Sequence, residues 1–77
     1  MKELLLYIAR NLVSQPDQVT VTERGTAADQ TLELRVAPED MGKVIGRNGR
    51  IAKEIRTVMR SYAQRKNVKV TVDIVDA

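Results

Sequence analysis

The chain contains no cysteine, no histidine, no phenylalanine and no tryptophan. Without cysteine no disulfide can form, and without cysteine or histidine the usual zinc clusters are excluded. The same two absences remove the commonest catalytic base and the strongest nucleophile. Among the carboxylates no inward-facing pair is evident, and Glu39-Asp40 is explained by helix-start chemistry. No Gly-Lys-Ser/Thr follows the spacing of a nucleotide-binding loop. No enzymatic activity, metal or cofactor is therefore expected. Tyr7 and Tyr62 are the only aromatic residues, which argues against a base-stacking platform. No apolar run approaches the ~20 residues of a membrane span. The N-terminal run Leu4-Leu5-Leu6 is flanked by Glu3, Arg10 and Asn11, unlike a signal peptide. The expectation is a soluble cytoplasmic protein. Its 77 residues allow one small core with no staple, so oligomerisation is expected to supply the missing stability.

Charge is present, and it is unevenly placed. The net charge is only +3. Between Gly42 and Lys69, however, nine lysines and arginines face Glu54 alone, a balance of +8, while the remainder of the chain carries −5. A field polarised in this way favours a polyanionic partner and speeds the encounter with it.

Hydrophobic periodicity sets the element order. Leu5, Ile8 and Leu12, widened by Leu4, predict a helix from Lys2 to Val13, ended by Ser14-Gln15-Pro16-Asp17. Val19-Thr20-Val21-Thr22-Glu23 and Thr31-Leu32-Glu33-Leu34-Arg35-Val36 alternate and predict an antiparallel hairpin around a polar loop from Gly25 to Gln30. Pro38, Glu39 and Asp40 suit the start of a short helix whose apolar side is Met41, Val44 and Ile45 and which Gly46 stops. A longer helix opens at Gly49 or Arg50, with Ile51, Ile55, Val58, Met59 and Tyr62 on one stripe. Val68 to Ile74 forms the last alternating strand. The order helix, strand, strand, helix, glycine turn, helix, strand predicts an α+β domain: a three-stranded sheet with all helices on one face.

The stretch from Val44 to Ile51 joins the two consecutive helices. Its Gly46-Arg47-Asn48-Gly49 core can turn sharply, and side-chain-free glycines let another chain approach the backbone. The following helix points its unpaired N–H groups and the positive end of its dipole to the same place. Arg47 and Arg50 add full charges. This combination predicts a cradle for a sugar-phosphate backbone.

The segment Val44-Ile45-Gly46-Arg47-Asn48-Gly49-Arg50-Ile51, lying between two helices in an αββααβ order, resembles the signature of the type II KH domain. Leu12-Val13 followed by Pro16-Asp17-Gln18-Val19, the approach Val36 to Lys43, Ile51-Ala52-Lys53, Ile55 to Val58 and the closing Val72 to Asp76 are similar to the bacterial single-KH-domain proteins of the KhpA type. The resemblance covers residues 1–77 as a single KH domain. It implies an RNA-binding protein of the bacterial cytoplasm acting as an RNA chaperone. It also implies a homodimer, or a heterodimer with a larger KH-containing protein, and a role in cell shape and cell-wall homeostasis.

By the same resemblance, about four nucleotides of single-stranded RNA are clamped beside the glycine turn. Gly46, Arg47, Asn48 and Gly49 are then expected to hold phosphates, with Lys43, Arg50 and Lys53 flanking them. Val44, Ile45, Ile51, Leu34 and Val36 are candidates for an apolar groove floor. Met59, Tyr62 and Ala63 are the expected interface between protomers. The alternative is an adaptor whose main task is to bind its KH partner, with RNA contact secondary. A third possibility is that the basic amphipathic segment Arg50 to Lys66 lies on an anionic membrane surface.

Overall fold

The structure is a computed structural model that describes residues 1–76; Ala77, the last residue of the expected domain, lies outside the described residues. The first helix, α1, spans Lys2–Arg10 and buries Leu5 and Ala9, with Glu3 in its first turn and Arg10 in its last. It ends before the predicted Val13. The Asn11 side chain donates to the Tyr7 carbonyl at 2.7 Å, and Leu12 N–H turns back to Ala9 O at 3.0 Å. Asn11 therefore satisfies a helix-end carbonyl and closes the helix before Pro16 can act.

Strands β1 (Thr20–Gly25) and β2 (Asp29–Val36) pair antiparallel, with Val21 opposite Leu34 and Glu23 opposite Leu32. The connection is tighter than the predicted Gly25-to-Gln30 loop. Thr26 N–H donates to Asp29 O at 3.0 Å and Asp29 N–H returns to Thr26 O at 3.3 Å, while Thr26 Oγ1 also accepts from Asp29 N–H at 3.1 Å. Gly25 has φ +94°, and a β-carbon there would stand 2.3 Å from Asp29 O. Only glycine allows the two strands to run this far toward the turn.

After a 3-10 turn at Pro38–Asp40, α2 (Met41–Ile45) and α3 (Arg50–Arg65) carry the chain back along the sheet to β3 (Lys69–Asp76). The return makes β3 parallel to β2, in the order β1-β2-β3, with Leu32 beside Val72 and Leu34 beside Ile74. Parallel neighbours require such a crossover, and the glycine turn lies within it. The mixed three-stranded sheet with its helices is consistent with the type II KH fold expected from the sequence.

The core lies between the sheet and the helices. Leu32, Leu34 and Val36 of β2 are fully buried and join Val21 and Val72 against Leu5, Ile55 and Met59. The opposite face of the sheet carries Arg24 and Arg35, which pair with Glu33 at 2.8 and 2.7 Å. Exposed pairs of this kind add little stability.

Helix α3 buries Ala52, Ile55, Met59 and Ala63. It ends with Asn67 at φ +57°. There Asn67 N–H donates to Gln64 O at 3.1 Å and Val68 N–H to Ala63 O at 3.0 Å. These are the two bonds of a Schellman cap, in which a left-handed residue satisfies the last helical carbonyls. The cap turns the chain directly into β3.

Candidate nucleic-acid interface

The turn between α2 and α3 is built from left-handed backbone. Gly46 has φ +76° and ψ 176°, Asn48 has φ +56° and ψ 27°, and Gly49 has φ +72° and ψ 15°. Gly46 N–H completes α2 by donating to Gly42 O at 2.9 Å, and Gly49 N–H donates to Gly46 O at 3.2 Å. The two glycines do different work. A β-carbon on Gly46 would collide with the Ile51 side chain at 2.6 Å, whereas one on Gly49 would meet nothing within 4 Å. Gly46 is required by packing and by φ, Gly49 by φ alone. Asn48 takes its left-handed angle because its short amide side chain tolerates that region better than most.

Arg47 and Asn48 are exposed at the tip of this turn, and Arg50 and Lys53 are exposed on the first turns of α3. With Ile51 they line a depression of about 640 Å³. Gly49 caps α3 without any side-chain hydrogen bond, and the first turn of α3 carries no acidic residue. Arg50 N–H already donates to Arg47 O, and the positive end of the helix dipole acts beside the arginines.

At the opposite end of α2, its N-cap Asp40 is buried to 1 % exposure. Its Oδ1 accepts from Ser14 N–H at 3.1 Å and its Oδ2 from Gln15 N–H at 3.0 Å. Lys43 Nζ lies 3.4 Å from Asp40 Oδ1 and donates to Ser14 Oγ. The Ser14 N–H bond holds the Asp40 carboxyl below its ordinary pKa; burial opposes this, while Gln15 and Lys43 reinforce it. Asp40 thus fastens the connection after α1 to the start of α2, which is more than the helix-dipole role expected from the sequence. Lys43 is half-exposed, but its charge is already engaged by Asp40, so it differs from Arg47, Arg50 and Lys53.

Several expected roles are redistributed. Val44, Leu34 and Val36 are fully buried. They belong to the core and have no surface to offer a base, which corrects their place on the groove floor. Ile45, 36 % exposed, and the partly buried Ile51 remain accessible. Met59 and Ala63 are core residues and cannot themselves form a surface interface. Tyr62 is half-buried, with the Lys66 ammonium 5.2 Å from its ring centroid. The large apolar residue that α3 does expose is Val58, at 47 %. This corrects the expected stripe, which included Val58; the residues that α3 buries are Ala52, Ile55, Met59 and Ala63.

Residues 2–74 match the family model for the KH domain of KhpA and KhpB. The chain belongs to the KhpA/KhpB KH-domain family. This family consists of RNA-binding domains and is not enzymatic. Similar proteins named RNA-binding protein KhpA occur in Clostridium acetobutylicum, at 55 % identity over 97 % of this chain and 100 % of that protein, and in Clostridium perfringens, at 53 % over the same shares. A protein of the same name from Treponema pallidum is 45 % identical over 97 % of this chain and 94 % of its own length. Among the described residues, no helix is long and apolar enough to cross a membrane.

Proposed function

We propose that this KH domain binds single-stranded RNA and that Gly46, Arg47, Asn48 and Gly49 hold the phosphates, with Arg50 and Lys53 beside them and Lys43 at the margin. The observation that carries this proposal is the exposed left-handed turn set against the uncapped, acid-free start of α3. A helix dipole and three cations, Arg47, Arg50 and Lys53, converge on one depression, and a phosphate is the anion that a nucleic-acid strand presents there. Ile45 and Ile51 supply the accessible apolar contact for a base.

The relatives' name, RNA-binding protein KhpA, supports the same function. The finer functional reading is an RNA chaperone of the bacterial cytoplasm that serves cell shape and cell-wall homeostasis. A single domain without an aromatic platform binds weakly, and a second linked domain raises its affinity by making the next contact intramolecular. We therefore include pairing, as a homodimer or with a larger KH-containing protein, through the exposed side of α3 around Val58 and Tyr62.

The test is the double substitution of Arg47→Asp and Asn48→Asp, assayed by fluorescence anisotropy with single-stranded RNA at low salt. Both residues are exposed, so the fold should persist while binding is lost. Binding equal to that of the unmodified protein would refute the assignment to this turn. The adaptor reading is favoured by one observation, the exposure of Val58 on α3. It predicts that the double variant keeps both its protein partner and its function.

A further inference from the structure

Asn48 and Gly49 are adjacent in the turn, and the pair has a chemistry separate from phosphate binding. The backbone nitrogen that follows an asparagine can attack the side-chain amide carbon, and a glycine leaves that nitrogen unhindered. The chain has three asparagines, Asn11, Asn48 and Asn67. Asn11 is followed by Leu12 and Asn67 by the β-branched Val68, whose side chains obstruct the approach. The Asn11 amide is also held by the Tyr7 carbonyl at 2.7 Å. Asn48 is the one that precedes a glycine. It is exposed, and a β-carbon on Gly49 would meet nothing within 4 Å, so the space beside the attacking nitrogen is open.

The surroundings favour this attack, while the closed turn prevents it. Asn48 shares its depression with Arg47, Arg50 and Lys53, and Gly49 is the N-cap of α3. Negative charge develops first on the Gly49 nitrogen and then on the Asn48 amide oxygen, and the cations and the positive helix end stabilise both. At ψ 27°, however, the Gly49 nitrogen points away from the Asn48 Cβ, so no five-membered ring can close. Gly49 N–H is also donated to Gly46 O at 3.2 Å. Ring closure requires that bond to break and ψ to rotate. One long hydrogen bond on an exposed turn is a slight restraint, of the kind that opens locally at low cost.

We propose that Asn48 is a site of spontaneous deamidation, gated by opening of the glycine turn, and that the carboxylate so formed shuts the turn to RNA. Gly49 N–H gives its proton to hydroxide, and the nitrogen forms a bond to Asn48 Cγ. The Cγ–Nδ2 bond breaks, and the leaving nitrogen takes a proton from water and departs as ammonia. A second water opens the succinimide at either carbonyl, giving aspartate or isoaspartate. Nothing is oxidised or reduced. A negative charge then stands where a neutral amide stood among three cations, and isoaspartate also lengthens the backbone of the turn. The effect on RNA rests on the binding proposed above, whereas the modification itself does not. A phosphate seated in the turn holds it closed, so bound RNA slows the reaction.

The experiment incubates the full chain in mildly alkaline buffer, with and without a saturating oligouridylate. Charge variants are separated by cation exchange, the modified residue is located by peptide mass spectrometry, and RNA affinity is measured by fluorescence anisotropy at low salt. Conversion should concentrate at Asn48, run more slowly than in a synthetic peptide of residues 44–51, and slow further with oligouridylate bound. The separated product and the Asn48→Asp variant should both bind RNA about fivefold more weakly, or worse, because a unit charge close to a phosphate is repelled even in water. An Asn48 that stays intact after the peptide has converted would overturn the modification site, as would conversion centred on Asn11 or Asn67. A product that binds RNA as tightly as the unmodified protein, or conversion that bound RNA does not slow, would overturn the switch. An unmodified protein that binds no oligouridylate would remove the proposed function and the switch together, with the deamidation of Asn48 still read from its mass.

Discussion

The Ile51 side chain occupies the space that a β-carbon on Gly46 would need, 2.6 Å from the position such a carbon would take. Ile51 stands on the first turn of α3, so this contact sets how closely α3 folds back on the turn. Gly46→Ala adds a backbone penalty of about 1–3 kcal/mol, because φ +76° with ψ 176° is a region essentially reserved for glycine, and an overpacking cost of about 1–3 kcal/mol. Gly49→Ala carries only the left-handed penalty, about 1–2 kcal/mol. Urea midpoints should therefore fall further for Gly46→Ala. Ile51→Ala in the Gly46→Ala background should cost less than the two single changes added together. Full additivity would mean that the two residues do not meet.

Asp40 links stability to pH. Its carboxyl is held below the ordinary value of 3.8 by the Ser14 and Gln15 amides and Lys43. The unfolded chain therefore takes up this proton at a higher pH than the folded one. The stabilisation is fully present above the ordinary carboxylate range and is lost as pH falls through the depressed folded value. Asp40→Asn should lower the thermal midpoint at pH 7. The gap between the two proteins should narrow below about pH 4. A gap that stays constant down to pH 2 would show that the carboxylate charge is not what the amides hold.

Neighbouring positions on α3 should behave oppositely. Met59 is fully buried, so Met59→Ala should cost about 2–5 kcal/mol in urea unfolding. Val58 is half-exposed, so Val58→Asp should change the stability of the isolated fold by no more than about 0.5 kcal/mol. In size exclusion with light scattering, Val58→Asp should convert a dimer to a monomer. A dimer that survives this change would move the interface off α3.

The cap after α3 offers a third kind of test. Asn67 holds φ +57°, an angle that glycine accepts freely. Asn67→Gly should be neutral within a few tenths of a kcal/mol, and Asn67→Ala should cost about 1 kcal/mol by thermal or urea unfolding. Equal effects would show that the left-handed angle is not what the position requires.

Much of this architecture was readable from the residues. Alternation placed Leu32, Leu34 and Val36 together, and all three are buried. Gly46, Gly49 and the proline at position 38 marked the helix ends. The misplaced helix stripes share one physical cause. Both helices pack on alanine: Ala9 on α1, Ala52 and Ala63 on α3. A reading weighted toward bulky apolar residues rotates the buried stripe away from them, toward Ile8 on one helix and Val58 and Tyr62 on the other. Small residues matter because they let a helix lie close to its neighbours, and that closeness is set by the partner, which local sequence does not contain. The Asp40 latch was hidden for the same reason, since Ser14 is 26 positions away. The left-handed angle of Asn48 went unread, although Asn-Gly is a common left-handed pair.

The parallel pairing of β2 with β3 also has a consequence for how the chain assembles. The middle strand of the sheet is made early, but its second neighbour is matched at a distance of 40 positions, Asp29 with Lys69. Local hairpin closure cannot complete the sheet, because the crossover must form first and long-range closure is slow. The glycine turn is thus part of the route by which the fold is reached. A substitution that stiffens it wrongly should delay collapse, leave the flank of β2 bare for longer, and expose the nascent chain to aggregation before it can bind any ligand.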